Sequence, residues 1–346
     1  MNRRELWRFL RSLLALILGL DLWSFQAQSG GEAAGLAGST AHIIALLNPG
    51  KRPEPVIVDA AHHRVYIGTE TGGSVTVLDD RSNHIVKTIR VGREVEDMAL
   101  DPTGRRLFAA SSVASRLSVI NTSTLRIASV VRNIKDASGV ALDPSRHRLY
   151  VTEMTANAVA VINTTNAEVV ATLTLPGRPL GVGVDTVLHR VFVGLFKLGR
   201  VDAIDESSGK VVGSVRIGNQ PVHPFRMESS IHRLYVVSSG SSSLSIVDTQ
   251  EVRVVRTLRT GQYPEGLDVS AARNRAYISN EGDPGTDKNS GHTASVIDLR
   301  SGQIIDTLPV RQGPDGIAYD RTTGNVYISV EDSGHVEVLH LPARER

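Results

Sequence analysis

Apolar and polar residues alternate in short runs along most of this chain, the pattern of strands that bury one face. Ser74-Val-Thr-Val-Leu78, Leu117-Ser-Val-Ile120, Val159-Ala-Val-Ile162 and Leu244-Ser-Ile-Val247 are four such runs. Beyond residue 27 no segment sustains a helical period. Turn chemistry separates the runs. Asp101-Pro-Thr-Gly104 and Asp143-Pro-Ser145 fit one kind of hairpin, and Glu206-Ser-Ser-Gly209 and Arg300-Ser-Gly302 fit another.

The runs repeat as groups of four. Each group carries an acid or its substitute, a short turn, an arginine or asparagine, an aliphatic residue and an aromatic. Asp59…Arg64-Val65-Tyr66 begins the series. Asp101…Phe108, Asp143…Tyr150, Asp185…Phe192, Met227…Tyr235, Asp268…Tyr277 and Asp320…Tyr327 continue it. The aromatics lie 42, 42, 42, 43, 42 and 50 residues apart. A period of ~40–45 residues with strand content predicts propeller blades. The long last interval contains a polar insertion, Glu281 to His292.

The expected fold is therefore all-β: a seven-bladed β-propeller of four-stranded blades over residues 41–346. The seventh repeat stops after its third strand, at Val336–Leu339. A spare strand, Ala41–Leu47, precedes the first repeat. An unpaired strand position would expose a sheet edge, so the N-terminal strand is predicted to complete the last blade.

The repeat also resembles a known family. Gly177-Arg-Pro-Leu-Gly181…Asp185, Gly261-Gln-Tyr-Pro-Glu-Gly266…Asp268 and Gly313-Pro-Asp-Gly316…Asp320, with the aromatic strand motif, are similar to the YVTN-repeat propellers, YncE-like proteins included. The resemblance covers about residues 41–341. It implies an exported binding or scaffold protein with no shared catalytic set. Some YncE-like proteins are associated with DNA binding, but no binding motif of theirs transfers to residues here.

Ahead of the repeats, residues 1–27 read as a signal segment. A basic stretch precedes the apolar run Leu13–Leu20, which is too short to span ~30 Å of hydrocarbon. Asn2-Arg-Arg-Glu-Leu-Trp-Arg8 resembles a twin-arginine signal, leaving the Sec and twin-arginine routes open. Residues 28–40, rich in Gly, Ala and Ser, read as a linker. The expected location is the periplasm or cell surface, with no stable membrane span once the signal is removed.

Composition narrows the chemistry. The chain has no cysteine, which excludes disulfides, thiolate metal sites and a cysteine nucleophile. Its net charge of +2 lies in the leader: without residues 1–27, the 38 basic and 36 acidic residues become 34 of each. A near-neutral body gives no electrostatic footprint for nucleic acid. There is no phosphate-binding glycine loop, His-Glu-x-x-His or Gly-x-Ser-x-Gly.

Residues that recur with the repeat serve the repeat. With the four strands of each repeat labelled a to d in chain order, His63, His147, His189 and His232 all precede the arginine that opens strand b and are expected in hairpin turns. Loops that differ between blades are better site candidates. In a propeller the d–a and b–c loops share the face around the central channel. On that face Arg178, Phe196, Lys197, His223, Phe225, Arg226 and Tyr263 are the candidate ligand-binding residues, an apolar anchor with convergent cations suited to an anionic or aromatic ligand. Glu70, Glu153, Glu281 and Glu331 recur just after the aromatic, and a ring of acids there could hold Ca²⁺. The favoured expectation is a monomeric, non-enzymatic scaffold that binds a protein partner or small anionic ligand without a cofactor. A cation-dependent, lactonase-like hydrolase and a binder of single-stranded DNA are the alternatives, the latter stacking bases on Phe196, Phe225 and Tyr263.

Overall fold

The computed structural model describes residues 41–282 and 292–341. Among them, seven four-stranded antiparallel sheets form the propeller that the repeats predict. The leader, the linker and most of the polar insertion lie outside the described residues. No helix among the described residues is long and apolar enough to cross a membrane.

Blade 1 shows the plan. Strands a to d are Pro53–Asp59, Arg64–Thr69, Ser74–Asp79 and His84–Arg90. Strand a lines the channel and strand d is outermost, so b and c are almost wholly buried and d is largely exposed. Closure follows the predicted pairing. His42–Leu47 runs antiparallel to strand c of blade 7, His335–His340, with His42 opposite His340 and Leu47 opposite Val336. Val56, Val65, Ile67 and Leu78 of blade 1 pack with Ala318, Tyr327, Val336 and Val338 of blade 7 in one apolar cluster. The ring thus closes through core packing as well as strand pairing.

The recurrent residues are architectural. The residue before strand b has a left-handed backbone in every blade: His63, Arg105, His147, His189, His232, Asn274 and Gly324 have φ between +51° and +76°. Histidine and asparagine tolerate that conformation better than most residues. Two of the histidines also hold carboxylates, His63 to Asp80 at 3.1 Å and His232 to Asp185 at 3.0 Å.

The hairpin aspartates accept turn hydrogen bonds, such as Gly104 N–H to Asp101 at 2.8 Å and Thr322 N–H to Asp320 at 2.8 Å. Burial raises the pKa of Asp101, Asp185 and Asp320, but hydrogen bonds outweigh it. Gly104 and Arg106, Thr249 and His232, and Thr322 and Thr323 hold the three carboxyls below the usual value. A depressed folded-state pKa contributes stability above the unfolded value and loses it as pH falls. The contribution of these three aspartates to the urea midpoint is therefore expected to hold down to about pH 4 and to decline below it. Asp101→Asn should flatten that decline, and an unchanged acid limb would remove the assignment.

Two motif positions shift. In blade 5 Glu228, not Met227, pairs with Arg233; in blade 6 Ser270, not Asp268, pairs with Arg275. Asp268 lies two residues earlier, opposite Tyr277, where the strand faces the channel.

Glycines mark close contacts between blades. Thr152, Ser279 and Ser329 each accept a hydrogen bond from a glycine N–H of their own strand a: Gly139, Gly266 and Gly316. Each hydroxyl also donates to a carbonyl of the next blade, at Leu180, Asp315 and Glu54. A Cβ on Gly139, Gly266 or Gly316 would lie 2.4, 2.2 or 1.9 Å from those same carbonyl oxygens. The last of these ties blade 7 to blade 1.

Candidate functional site

The channel is a cavity of about 450 Å³ lined by the strands a. The residue opposite the blade aromatic forms one ring around it: Ile57, Ala99, Ala141, Gly183, Arg226, Asp268 and Ala318. Five are small or aliphatic. The other two are an ion pair from neighbouring blades, Arg226 Nε to Asp268 Oδ1 at 3.1 Å. Asp268 also accepts the Tyr319 N–H at 2.8 Å. Charge has thus been placed where the repeat supplies none.

Nearer the d–a loops, the residue after the first paired position of each inner strand is a second repeat position. It reads Glu54, Glu96, Ser138, Leu180, Val222, Glu265 and Asp315. Four consecutive blades, 6, 7, 1 and 2, therefore contribute an acid. Across from them, blade 5 departs from the repeat. Pro221 bridges Ser238 and Arg226 pairs with Tyr235, five residues apart. Pro53 and Ile57, the same two positions of blade 1, are four apart. The extra residue accounts for the interval of 43 between Phe192 and Tyr235. It lies within Val222-His223-Pro224-Phe225, and the regular strand is cut to Arg226–Glu228.

The insertion carries His223 over the channel to blades 1 and 2. One ring nitrogen of His223 and one carboxylate oxygen each of Glu54 and Glu96 lie within 4.8 Å of one another. His223 Nε2 is 4.0 Å from Glu96 Oε2, and Glu96 Oε1 accepts the Ser112 hydroxyl at 2.8 Å. Glu54 is 1% exposed and His223 9%. Glu54, Glu96, Asp97, His223, Pro224, Arg226 and Asp315 enclose a cavity of about 20 Å³, room for one water or one ion. Burial pushes the Asp97 carboxyl up to about 6, against the N–H groups of Val140 and Met98 and the charge of Arg226.

The structure divides the seven sequence candidates for ligand binding. His223 and Arg226 reach the channel mouth. Phe225 is core: it packs with Phe192, Val201 and Leu234, its ring against Gly181 and Gly194. Phe196 is half-buried against Val222 and Tyr235. Arg178 and Phe196 meet through their backbones, Phe196 N–H to Arg178 C=O at 3.0 Å, as do Glu281 and Tyr263 at 2.9 Å. The same b–c to d–a tie recurs in all seven blades, at 2.8–3.2 Å. Lys197 is exposed beside it. Packing thus takes Phe225 out of the expected patch.

The four acids proposed to ring a cation do not share one position in the blade. Glu70 and Glu331 both bind Arg52. Glu281 shares their repeat position, but Glu153 sits one residue earlier, paired with Ala137, and accepts the Lys135 N–H at 2.7 Å. A one-residue offset in a strand turns a side chain to the other face. Glu54, Asp97 and Asp268 were not among the sequence candidates. The 42-residue spacing of Glu54 and Glu96, with Glu265 and Asp315 after the same proline, was the signal that would have found the acidic arc.

A second acid–histidine group lies between blades 3 and 4 on the opposite face: Asp143, His189 and Glu206. These are hairpin positions of the repeat. Glu206 has Arg146 at 3.5 Å and the Tyr150 hydroxyl as partners, and burial raises its pKa.

No family model and no curated protein matches the chain. Among solved structures it is similar to the β-propeller domain of Myceliophteria thermophila Cps50 (Swd1), at 13% identity and a TM-score of 0.72, over 86% of this chain and 99% of that one. It is also similar to Kuenenia stuttgartiensis hydrazine synthase, at 17% identity and a TM-score of 0.71, over 91% and 100%. The likeness is one of fold. At these identities it carries no activity across.

Proposed function

We propose that this protein is an exported, non-enzymatic binding propeller of the cell envelope, working through its d–a and b–c loop face. The group it takes at the channel mouth is a cation, either a metal ion or the ammonium tip of a protein partner. The observation that carries this reading is the arc Glu265, Asp315, Glu54 and Glu96 on four consecutive blades, opposite the bulged His223. An acidic mouth replaces the anionic ligand expected from Arg178 and Lys197. It also disfavours nucleic acid, whose binders need convergent cations and stacking aromatics. The cavity of about 20 Å³ at the mouth has room for one ion. The basic and apolar leader supports export.

Thermal melting of the protein with tetralysine and with oligo(dT), each at low and high salt, tests this reading. A ligand at about 100 times its Kd adds about 2.7 kcal/mol of stability. Tetralysine is expected to raise Tm at low salt, through an interaction that screening weakens; oligo(dT) is expected to leave it unchanged. A rise with oligo(dT) alone would reverse the reading.

A further inference from the structure

We infer that Glu54, Glu96 and His223 form a binding site for one divalent first-row transition-metal ion, braced across the mouth of the channel. The inference rests on the reading of the mouth as cation-binding and narrows it to a metal.

The geometry carries it first. Two ligands that share an ion at ~2.1 Å each lie roughly 3–4 Å apart. His223 Nε2 and Glu96 Oε2 are 4.0 Å apart, too far for a hydrogen bond, and all three donor atoms fall within 4.8 Å. Between them is a cavity the size of one ion. The donors come from three blades, so no single hairpin accounts for their convergence.

The departure from the repeat is independent of those distances. Strand a of blade 5 spends one extra residue and most of its regular pairing to carry His223 across the channel. The glutamates sit on ordinary strand-a positions of blades 1 and 2, and the Glu54 backbone is fixed by the Ser329 hydroxyl at 2.7 Å. One side of the site is thus preset by the repeat and the other is supplied by the insertion.

Donor chemistry selects the ion. One imidazole with two carboxylates suits Zn²⁺, Mn²⁺ or Co²⁺. Ca²⁺ takes six to eight oxygens, more than this set offers in a cavity this small. Two carboxylates match a divalent charge, and Glu54 and His223 are buried enough to keep bulk water from competing. The bound ion would link strands a of blades 1, 2 and 5.

The test uses the full chain, stripped with EDTA, reloaded with Zn²⁺ or Ca²⁺ and analysed by mass spectrometry of the metal. About one equivalent of Zn²⁺ is expected, with Ca²⁺ held at least 100-fold more weakly. Glu96→Gln and His223→Ala should each weaken Zn²⁺ by on the order of 100-fold, whereas His189→Ala, in the hairpin cluster of the opposite face, should not. Circular dichroism establishes that the variants fold. Co²⁺ loaded into the wild type should give a visible spectrum with nitrogen ligation, a readout that holds even where a variant does not fold. Substoichiometric Zn²⁺, full retention by folded His223→Ala, or a Co²⁺ spectrum of oxygen ligands alone overturns the metal site. If tetralysine still stabilises the stripped protein, only the metal assignment falls. If neither cation binds, the reading of the mouth falls with it.

Discussion

Phe225→Ala is expected to destabilise the propeller by about 3–5 kcal/mol, the range for deleting a buried aromatic ring. The ring lies between blades 4 and 5, packed with Phe192, Leu234 and Val247. It fills space that blade 4 leaves open: a Cβ on Gly181 or Gly194 would lie 2.3 or 2.5 Å from it. Gly194 occupies the strand-b position held by Thr152, Ser279 and Ser329 in blades 3, 6 and 7, where a hydroxyl makes the link to the next blade. Between blades 4 and 5 a phenyl ring does the work of that hydroxyl. The two positions should therefore couple. Gly194→Ala alone should destabilise, because its Cβ meets the ring, but in the Phe225→Ala background it should stabilise by entering the vacated volume. Urea unfolding of the four proteins measures this cycle. Additive effects would show that the ring does not depend on the missing side chain.

Gly316→Ala should cost about 3 kcal/mol or more, since overpacking against backbone has no rotamer to relieve it. The new Cβ would sit 1.9 Å from the Glu54 carbonyl oxygen, so blades 7 and 1 must separate where the ring closes. The same substitution at Gly177 meets only the Leu198 side chain, nearest at 3.2 Å, and should cost under about 1 kcal/mol. Melting temperature compares the two. Hydrogen exchange should speed up in His42–Leu47, the strand that completes blade 7, in the Gly316 variant alone. Equal losses at both glycines would refute the close-contact account. Because Glu54 lies on that seam, the Gly316 variant should also disturb the channel mouth.

The architecture was legible because it is repeated. Seven aromatics at a period of ~42 residues and a strand missing at one end but spare at the other left little choice of fold. Each blade must bury its b and c strands against a neighbour, and the ring must hide its edge. The hairpin histidines were legible for a related reason: recurrence before the strand-b arginine marked a turn, and the left-handed φ values supply its cause.

The mouth was harder to read. Which of two adjacent residues faces the channel is set by strand register, and sequence alone located register only to within a residue or two. That is why Glu153 was grouped with Glu70, and Asp268 with the hairpin aspartates. Phe225 looked like a loop aromatic because the glycines that receive its ring lie 44 and 31 residues earlier, in another blade. The interval of 43 residues recorded the insertion in blade 5, but not the direction in which it carried His223.

By itself the sequence determined the fold class, the blade count, the closure and the turns. All of these follow from local periodicity and from the need to pair every edge. Only the tertiary structure decided that Glu54, Glu96 and His223 meet. They come from three blades and lie up to 169 residues apart in the chain. Nothing local fixes such a distance; it is set by the curvature of the closed ring and by one extra residue in one strand.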